Sequence, residues 1–177
     1  VVFAKAPMPG QVKTRLCPPL SAEQAAAVYR ALALDSVAQA RRVRDARIAI
    51  AYSPVSQDAN AKWLASGDET VFAQRGPDLG ARLSHAFEHA FQSGAGRVLV
   101  MGTDCPHLPA DALEDAFATL AREDAVLGPT HDGGYCLIGL RRPNPAVFQH
   151  VPWSTSAVYS RTLELLRGEG MSLKELP

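Results

Sequence analysis

The sequence lacks several features that mark whole classes of protein. It has only three cysteines among 177 residues. They form no Cys-x-x-Cys pair, which excludes a disulfide framework and a zinc knuckle and fits a reducing cytoplasm. No hydrophobic run approaches the roughly 20 residues of a membrane-spanning helix. An excess of one charge is also missing, because 18 lysines and arginines balance 18 aspartates and glutamates. We therefore do not expect nucleic-acid binding, which usually requires a basic excess.

The first residues lack both an initiator methionine and the pattern of a signal peptide. A lysine and two prolines follow the apolar start Val1–Ala4 almost at once, whereas a signal peptide has a longer apolar region. We therefore expect a cytoplasmic chain that is trimmed at its start. Its 177 residues, 47% of them hydrophobic, suit a single domain with a sizeable core. The sequence does not indicate an oligomeric state.

Short apolar runs alternate with amphipathic segments along the whole chain. Ser21 and Gln24 form a capping box that predicts a helix whose apolar stripe is Ala25, Val28, Tyr29 and Leu32. The alternation predicts a doubly wound α/β fold with a mostly parallel sheet flanked by helices. The predicted strands are 1–5, 47–52, 70–73, 98–101, 125–128, 135–140 and 171–176, and the predicted helices are 21–43, 58–65, 79–92, 110–122 and 154–167.

A carboxylate stands where the apolar run 98–101 should end. Gly102 and Thr103 lead to Asp104, and Pro106 then prevents regular strand pairing. Ligands of open parallel sheets bind outside the carboxyl ends of the strands. Asp104 is therefore a candidate ligand for Mg²⁺ or Mn²⁺ that bridges to phosphate oxygens. The alternative is an ordinary capping aspartate before the next helix.

The loop 6–20 after the first strand carries positive charge without acidic compensation. Four prolines and a glycine exclude a helix or a central strand there. The only charged residues among the first 22 are Lys5, Lys13 and Arg15. Such cations suit a phosphate chain, with Gly10 and Thr14 approaching the same oxygens. The loop matches neither the Walker A pattern nor Gly-x-Gly-x-x-Gly, and a solvated loop is the alternative.

The segment Asp132-Gly133-Gly134-Tyr135 is a second candidate site. Its two glycines suit close approach of the backbone to a ligand, although a tight hairpin would need the same residues. Asp132 could share one Mg²⁺ or Mn²⁺ with Asp104, since two carboxylates at one sheet edge can hold a single ion.

Two further segments could contact a nucleotide or sugar. Arg75, Gly76 and Asp78 lie just before a predicted helix and could form an anion-binding or base-binding rim. Trp153 could stack on a sugar or base, with Ser154 opening the helix behind it. The alternative for Trp153 is a hydrophobic residue that precedes an N-cap serine.

The pattern His85-Ala86-Phe87-Glu88-His89 matches the His-x-x-Glu-His motif of some zinc peptidases. The same helix must pack through its leucines and phenylalanines, and a third acidic ligand is not evident. We therefore expect His85 and His89 to be surface or half-buried polar residues.

Taken together and in order, these segments resemble a known bacterial family. The resemblance rests on 3–10, 13–16, 102–106, 132–135 and 153–155. Members are described as glycosyltransferase-like proteins, some linked with arsenosugar biosynthesis or radical-SAM gene neighbourhoods. The family belongs to the nucleotide-diphospho-sugar transferase superfamily, which has the GT-A fold. Guanylyltransferases for molybdenum cofactor and for 2-phospho-lactate are more distant relatives.

The resemblance implies roles for particular residues. Lys13, Thr14 and Arg15 would cradle nucleotide phosphates, Asp104 would bind the metal, and Asp132 and Tyr135 would border the second substrate. Sugar transferases of this fold usually carry Asp-x-Asp, whereas this chain has Thr103-Asp104-Cys105 with one carboxylate. Relatives also tend to continue into an acidic segment after the last strand, beyond Pro177, so the resemblance implies a chain that is trimmed at both ends.

We therefore predict a metal-dependent transferase with Mg²⁺ or Mn²⁺ as cofactor, acting on a nucleotide-activated substrate. The predicted reaction is glycosyl transfer from a nucleotide sugar to a small-molecule acceptor. Nucleotidyl transfer to a phosphorylated small molecule and a non-catalytic nucleotide-binding module are the alternatives. The predicted catalytic residues are Asp104 and Asp132; the nucleotide-binding residues are Lys5, Gly10, Lys13, Thr14, Arg15, Arg75, Gly76 and Asp78; the substrate-binding residues are Gly133, Gly134, Tyr135, Trp153 and Ser154.

Overall fold

The computed structural model describes residues 1–54 and 61–176, which fall into two compact units. The N-terminal unit comprises Val2–Ala73 and Gly102–Ala110. The C-terminal unit comprises Val1, Gln74–Met101 and Asp111–Pro177. No helix in the described ranges is both long enough and apolar enough to cross a membrane.

The N-terminal unit is built on three parallel strands and one long helix. The strands β1 (Val2–Lys5), β2 (Ala49–Ser53) and β3 (Thr70–Ala73) lie in the order β3-β2-β1. Helix α1 (Ala22–Arg41) begins at Ser21, where the predicted capping box forms. The Ser21 Oγ accepts the Gln24 N–H at 3.2 Å, and the Gln24 side chain accepts the Ser21 N–H at 2.8 Å.

The C-terminal unit combines four strands with three helices. The strands β4 (Val98–Met101), β5 (Ala125–Pro129), β6 (Tyr135–Leu140) and β7 (Leu173–Glu175) lie in the order β4-β6-β5-β7. Strand β6 is antiparallel to β4 and β5, whereas β7 is parallel to β5. The helices are α2 (Leu79–Gln92), α3 (Ala110–Thr119) and α4 (Val158–Gly168).

The alternation of strands and helices confirms the predicted α/β class. Of the five strand pairings within the units, three are parallel. The two antiparallel pairings both involve β6, because β5 and β6 are joined by the short loop 130–134. So short a connection can link only antiparallel neighbours. The alternative interpretation of the Gly133-Gly134 segment, a tight hairpin, is therefore confirmed.

The predicted start of the last helix is wrong. Helix α4 begins at Val158, and its N-cap is Ala157 rather than Ser154. Ser154 has a left-handed backbone with φ of 68°, which a helix cannot continue. The Thr155 Oγ1 donates to the Pro152 carbonyl at 2.8 Å and accepts the Ala157 N–H at 3.2 Å, so turns occupy the interval before the helix.

Smaller corrections concern helix ends and one loop. The predicted helices 21–43 and 110–122 stop early, at Arg41 and Thr119. The predicted helix 58–65 lies partly outside the described residues, and its described part forms turns. A 3₁₀ turn, Thr14–Leu16, occurs within the loop predicted to lack helix. The prolines flank this turn without interrupting it, so they do not prevent it.

Candidate functional site

The cation-bearing loop after β1 is an ordered series of turns in the N-terminal unit. Val12 is buried and anchors the loop, while Thr14 and Arg15 are exposed. Lys13 has a left-handed backbone with φ of 50° and precedes the 3₁₀ turn. The Leu16 N–H donates to the Lys13 carbonyl at 2.9 Å. This backbone leaves the side chains of Thr14 and Arg15 in solvent, where a ligand can reach them.

The predicted phosphate lysine and the predicted metal carboxylate are in contact. The Lys13 Nζ lies 3.0 Å from the Asp104 Oδ1. The side chains are 23% and 71% exposed, so the carboxylate faces solvent and the ammonium group is partly covered. Two motifs that are far apart in the sequence therefore meet in one unit. A positive group therefore already lies beside the Asp104 carboxylate.

A buried tyrosine contacts the end of β1 and the residue that precedes Asp104. Tyr29, on helix α1, is 4% exposed. Its hydroxyl accepts the Lys5 N–H at 2.6 Å and the Thr103 Oγ1–H at 3.4 Å. Burial raises the pKa of Tyr29, and the nearby Asp104 carboxylate adds to the increase. The hydroxyl therefore stays neutral and serves as a hydrogen-bonding group.

Sequence reasoning placed Tyr29 on the apolar stripe of α1 and gave it no role at the site. The placement is correct, since the ring is buried. A chemical argument could have indicated a role, because the hydroxyl of a buried tyrosine usually needs a hydrogen-bond partner. The sequence does not say which partner it finds, since Lys5 and Thr103 are 24 and 74 positions away.

The donor set around Asp104 fits a phosphate-bridged cation. Mg²⁺ usually keeps several waters and binds one or two carboxylates together with substrate phosphates. Asp104 supplies one exposed carboxylate, and the exposed Thr14 and Arg15 lie on the loop of its ion-pair partner. Within residues 1–54 and 61–176, no group of three or more His, Cys, Asp or Glu could hold a metal ion. A cation at Asp104 would thus depend on oxygens from a ligand.

In the C-terminal unit, the loop with Asp132 is held by its own side chains. The Asp132 Oδ1 accepts the Thr130 hydroxyl at 2.6 Å and the Gly134 N–H at 3.1 Å. Gly133 has φ of 83°, and a Cβ there would lie 2.1 Å from the Ser156 carbonyl oxygen. The Tyr159 N–H donates to the Gly133 carbonyl at 2.8 Å. Gly133 is therefore required for packing against 156–159, whether or not a ligand approaches.

In the same unit, Tyr135 and the N-terminus of helix α2 both lie close to Trp153. The Trp153 and Tyr135 rings meet edge to face, with centroids 6.5 Å apart. A Cβ on Gly80, in the first turn of α2, would lie 2.9 Å from the Trp153 Nε1. Asp78 caps α2 by accepting the Ala81 N–H at 2.8 Å, and the Arg82 Nε donates to the Gly76 carbonyl at 3.2 Å. The N-terminus of α2 and the two aromatic rings thus form one cluster.

The aromatic cluster also limits the chemistry of Tyr135. Burial holds the pKa of this phenol far above its usual value. The phenol therefore stays protonated at neutral pH and cannot act as a general base. It remains able to pack and to donate a hydrogen bond.

The histidine pair on α2 is stacked and half-buried. The His85 and His89 rings lie nearly parallel, with centroids 6.3 Å apart. Burial, Arg75 and His89 all lower the pKa of His85. The expectation of half-buried polar histidines is confirmed. In the described ranges no third ligand joins them in a metal-binding group.

The structure therefore distributes the predicted site residues over the two units. Lys5, Gly10, Lys13, Thr14, Arg15 and Asp104 belong to the N-terminal unit, while Arg75, Gly76, Asp78, Asp132, Gly133, Gly134, Tyr135, Trp153 and Ser154 belong to the C-terminal unit. Direct contacts join Lys13 to Asp104 and Tyr135 to Trp153. The catalytic and binding roles of these residues stay predictions.

Comparison with solved structures identifies the fold. A crystal structure from Desulfovibrio desulfuricans G20, described as a "putative nucleotide-diphospho-sugar transferase", is 37% identical. Its TM-score is 0.92, and the match covers 99% of this chain and 78% of that one. The chain thus has the nucleotide-diphospho-sugar transferase-like fold, as predicted.

More distant structures share the fold alone. A cytidylyltransferase from Leptospira borgpetersenii is 12% identical with a TM-score of 0.59, over 99% of this chain and 74% of that one. A 4-diphosphocytidyl-2C-methyl-D-erythritol synthase from Anaerococcus prevotii is 10% identical with a TM-score of 0.58, over 99% and 85%.

Sequence comparison places the chain in a family. No curated protein matches it significantly. Residues 34–155, more than half of the chain, match the model of a family described as an uncharacterized protein conserved in bacteria, DUF2064. The chain therefore belongs to the DUF2064 family of bacterial proteins.

Proposed function

We propose that this protein is a metal-dependent transferase that moves the glycosyl group of a nucleotide sugar to a small-molecule acceptor. The observation that carries the proposal is the contact of 3.0 Å between Lys13 and Asp104. It brings the loop that we propose to bind phosphate together with the carboxylate that we propose to hold a cation. The 37% identity to the Desulfovibrio protein over 99% of this chain supports the choice of a nucleotide sugar as donor.

The loop residues would bind the diphosphate of the donor. Arg15 and Thr14 are exposed, as is Lys5 at the end of β1. An arginine binds two phosphate oxygens through its planar fork, and a lysine adds a mobile point charge. The phosphates carry negative charge, as the Asp104 carboxylate does. The Lys13 ammonium group would therefore exchange its contact with Asp104 for a contact with the phosphates. Charge on the departing nucleoside diphosphate would thereby be neutralised.

Asp104 would supply the protein ligand of a Mg²⁺ or Mn²⁺ ion. When bound, this ion supplies further stabilisation of charge on the leaving diphosphate. Asp104 is the only acid in Thr103-Asp104-Cys105, so the remaining ligands would come from phosphate and water.

Residues of the C-terminal unit would contact the acceptor. Asp132 stays the candidate for the general base, whereas burial keeps the Tyr135 phenol protonated. Contacts of Trp153, Ser154 and the loop 133–134 with the acceptor, and of Arg75, Gly76 and Asp78 with the nucleotide, stay predictions from the sequence. The link with arsenosugar biosynthesis or radical-SAM gene neighbourhoods stays a prediction.

Nucleotidyl transfer is a second candidate because the site offers a single carboxylate beside a lysine. Such a set also suits a triphosphate, whose own oxygens complete the coordination of a cation. In that reaction the same groups would stabilise charge on a departing pyrophosphate while a substrate phosphate attacks in line.

The released product distinguishes the two reactions. The protein is incubated with Mn²⁺ and a panel of nucleotide sugars or nucleoside triphosphates, together with sugar, polyol and sugar-phosphate acceptors. Glycosyl transfer releases a nucleoside diphosphate without pyrophosphate. Pyrophosphate released from a triphosphate, with no turnover of any nucleotide sugar, would replace the proposal by nucleotidyl transfer.

Binding measurements on the same panel of nucleotides test the alternative of a protein that binds a nucleotide without converting it. Saturable Mn²⁺-dependent thermal stabilisation by nucleotides, without any product, would favour the non-catalytic module. No stabilisation by any nucleotide would contradict the nucleotide site itself.

A further inference from the structure

We propose that Tyr29 is a positioning residue, whose hydroxyl sets the placement of the cation-bearing loop 6–20 relative to Asp104. The inference rests on the proposed function, because it deals with the site that would bind the nucleotide phosphates and the cation. It goes beyond that function by giving a role to a buried helix residue that would contact neither.

The first contact of Tyr29 is with the end of β1. The Lys5 N–H donates to the Tyr29 hydroxyl at 2.6 Å. The next N–H, that of Ala6, donates to the Ser53 carbonyl at 2.9 Å. The Tyr29 hydroxyl therefore accepts a backbone hydrogen bond from the last residue of β1, where the cation-bearing loop begins. The start of the loop is fixed to helix α1 at this point.

The second contact is with the turn that carries Asp104. The Thr103 hydroxyl donates to the same Tyr29 oxygen at 3.4 Å, and Thr103 is 4% exposed. Asp104 follows Thr103 directly, and its own carboxylate is 71% exposed. The Asp104 carboxylate is exposed and pairs with Lys13, whereas the preceding residue, Thr103, is buried and held by Tyr29.

One oxygen atom thus joins two segments that are 98 positions apart, at Lys5 and Thr103. A phosphate-bridged cation needs its protein ligand and its phosphate groups at a fixed separation, because Mg²⁺ demands near-ideal octahedral geometry. Groups that hydrogen-bond to a metal ligand typically change metal affinity 10- to 100-fold when they are mutated. Tyr29 acts one residue further away, through Thr103, so we expect an effect near the lower end of that range.

A buried hydroxyl also contributes to stability, so the test needs a matched tyrosine. Tyr52, on β2 of the same unit, is 1% exposed, and its hydroxyl accepts the Trp63 Nε1–H at 2.9 Å. Tyr29→Phe and Tyr52→Phe each remove one hydrogen-bonded oxygen and keep the ring. Both variants should therefore lose stability, but only the first loses an oxygen that contacts Lys5 and Thr103.

The experiment measures Mn²⁺ affinity in the presence of a nucleoside diphosphate. Free Mn²⁺ is followed by electron paramagnetic resonance on the full chain, at a temperature where circular dichroism shows every variant folded. We expect Tyr29→Phe to weaken binding by roughly 10-fold or more and Tyr52→Phe to leave it within about twofold. Equal affinities in wild type and Tyr29→Phe, or equal losses in the two variants, would overturn the role of Tyr29.

A second variant covers the case in which Tyr29→Phe does not fold. Thr103→Val removes the other partner of the hydrogen bond and keeps a side chain of similar size. It should weaken Mn²⁺ binding to a similar degree, and an unchanged affinity would contradict the inference. Wild-type protein that binds no Mn²⁺ with any nucleoside diphosphate would contradict the proposed function and, with it, this inference. Binding by wild type with no change in the variants would contradict the inference alone.

Discussion

Lys13 and a divalent cation should compete for the same carboxylate. The Lys13 Nζ lies 3.0 Å from the Asp104 Oδ1, and a cation bound to Asp104 would have to displace it. Lys13→Met removes the charge and keeps an unbranched side chain, so the left-handed backbone at this position is no more strained than before. The variant should therefore bind Mn²⁺ alone more tightly than wild type does.

The size of the effect follows from the geometry. Two unit charges 3.0 Å apart attract by about 1.4 kcal/mol in bulk water. The Asp104 side chain is 71% exposed, and ordering the two side chains reduces the net value of such a pair to about 0.5–1 kcal/mol. Loss of the competitor should therefore raise the affinity for Mn²⁺ roughly two- to fivefold.

Nucleotide affinity should change in the opposite direction. A hydrogen bond to a charged group contributes about 1.5–3 kcal/mol. If Lys13 binds the donor phosphates, Lys13→Met should weaken binding of a nucleoside diphosphate roughly 10- to 150-fold. These opposite changes form a signature that general destabilisation cannot produce.

Titration calorimetry measures both affinities. Mn²⁺ alone and a nucleoside diphosphate at saturating Mn²⁺ are titrated into each protein at low ionic strength. Lys174→Met, which removes an exposed lysine from β7 of the other unit, serves as control and should change neither affinity. The gain in Mn²⁺ affinity should shrink in about 1 M salt, where charges are screened within roughly 3 Å. Unchanged or weaker Mn²⁺ binding by Lys13→Met would refute the competition.

Two further predictions concern the stability of each unit. Gly80→Ala should lower the free energy of unfolding by about 1–3 kcal/mol, because its Cβ would lie 2.5 Å from the Phe148 carbonyl oxygen, whereas Gly96→Ala, with nothing within 4 Å, should change it little. Urea denaturation checks both, and equal values would contradict the close packing. Glu69→Gln should destabilise the protein at pH 7, because the Arg41 hydrogen bond lowers the pKa of Glu69 from its usual 4.5. The ionised carboxylate then contributes stability that is fully present above pH 4.5 and is lost as pH falls from there through the lowered pKa, so the difference between wild type and variant should disappear over that range. A difference that persists at still lower pH would exclude this cause.

The elements of the fold were largely predictable because apolar periodicity dominates them. Strand β3 has the predicted bounds, Thr70–Ala73, and the capping box of α1 forms as expected. The antiparallel direction of β6 was harder to predict, because the double glycine of the loop 130–134 suited either a hairpin or a ligand. The start of α4 was mispredicted, since a left-handed Ser154 has no clear sequence signal.

The candidate site was predictable as a set of residue types but not as a network. Uncompensated cations and a carboxylate at a strand end pointed to Lys13 and Asp104, which the structure brings into contact. The positioning role that we propose for Tyr29 depends on two long-range hydrogen bonds, from the Lys5 N–H and the Thr103 hydroxyl. Periodicity shows that this tyrosine is on a buried face but not which polar groups lie opposite its hydroxyl. For the same reason the packing of Gly133 against Ser156 could not be foreseen.

The central claim is that Asp104 anchors a cation-dependent nucleotide site, and the most direct test is Asp104→Asn. The variant keeps the size of the side chain and removes its negative charge. We measure binding of a nucleoside diphosphate with and without Mn²⁺ by calorimetry, with the exposed Asp68→Asn of the same unit as control.

The account predicts that Mn²⁺ strengthens nucleotide binding in wild type and in Asp68→Asn, and that this Mn²⁺-dependent gain disappears in Asp104→Asn. A folded Asp104→Asn protein that retains the full Mn²⁺-dependent gain would contradict it.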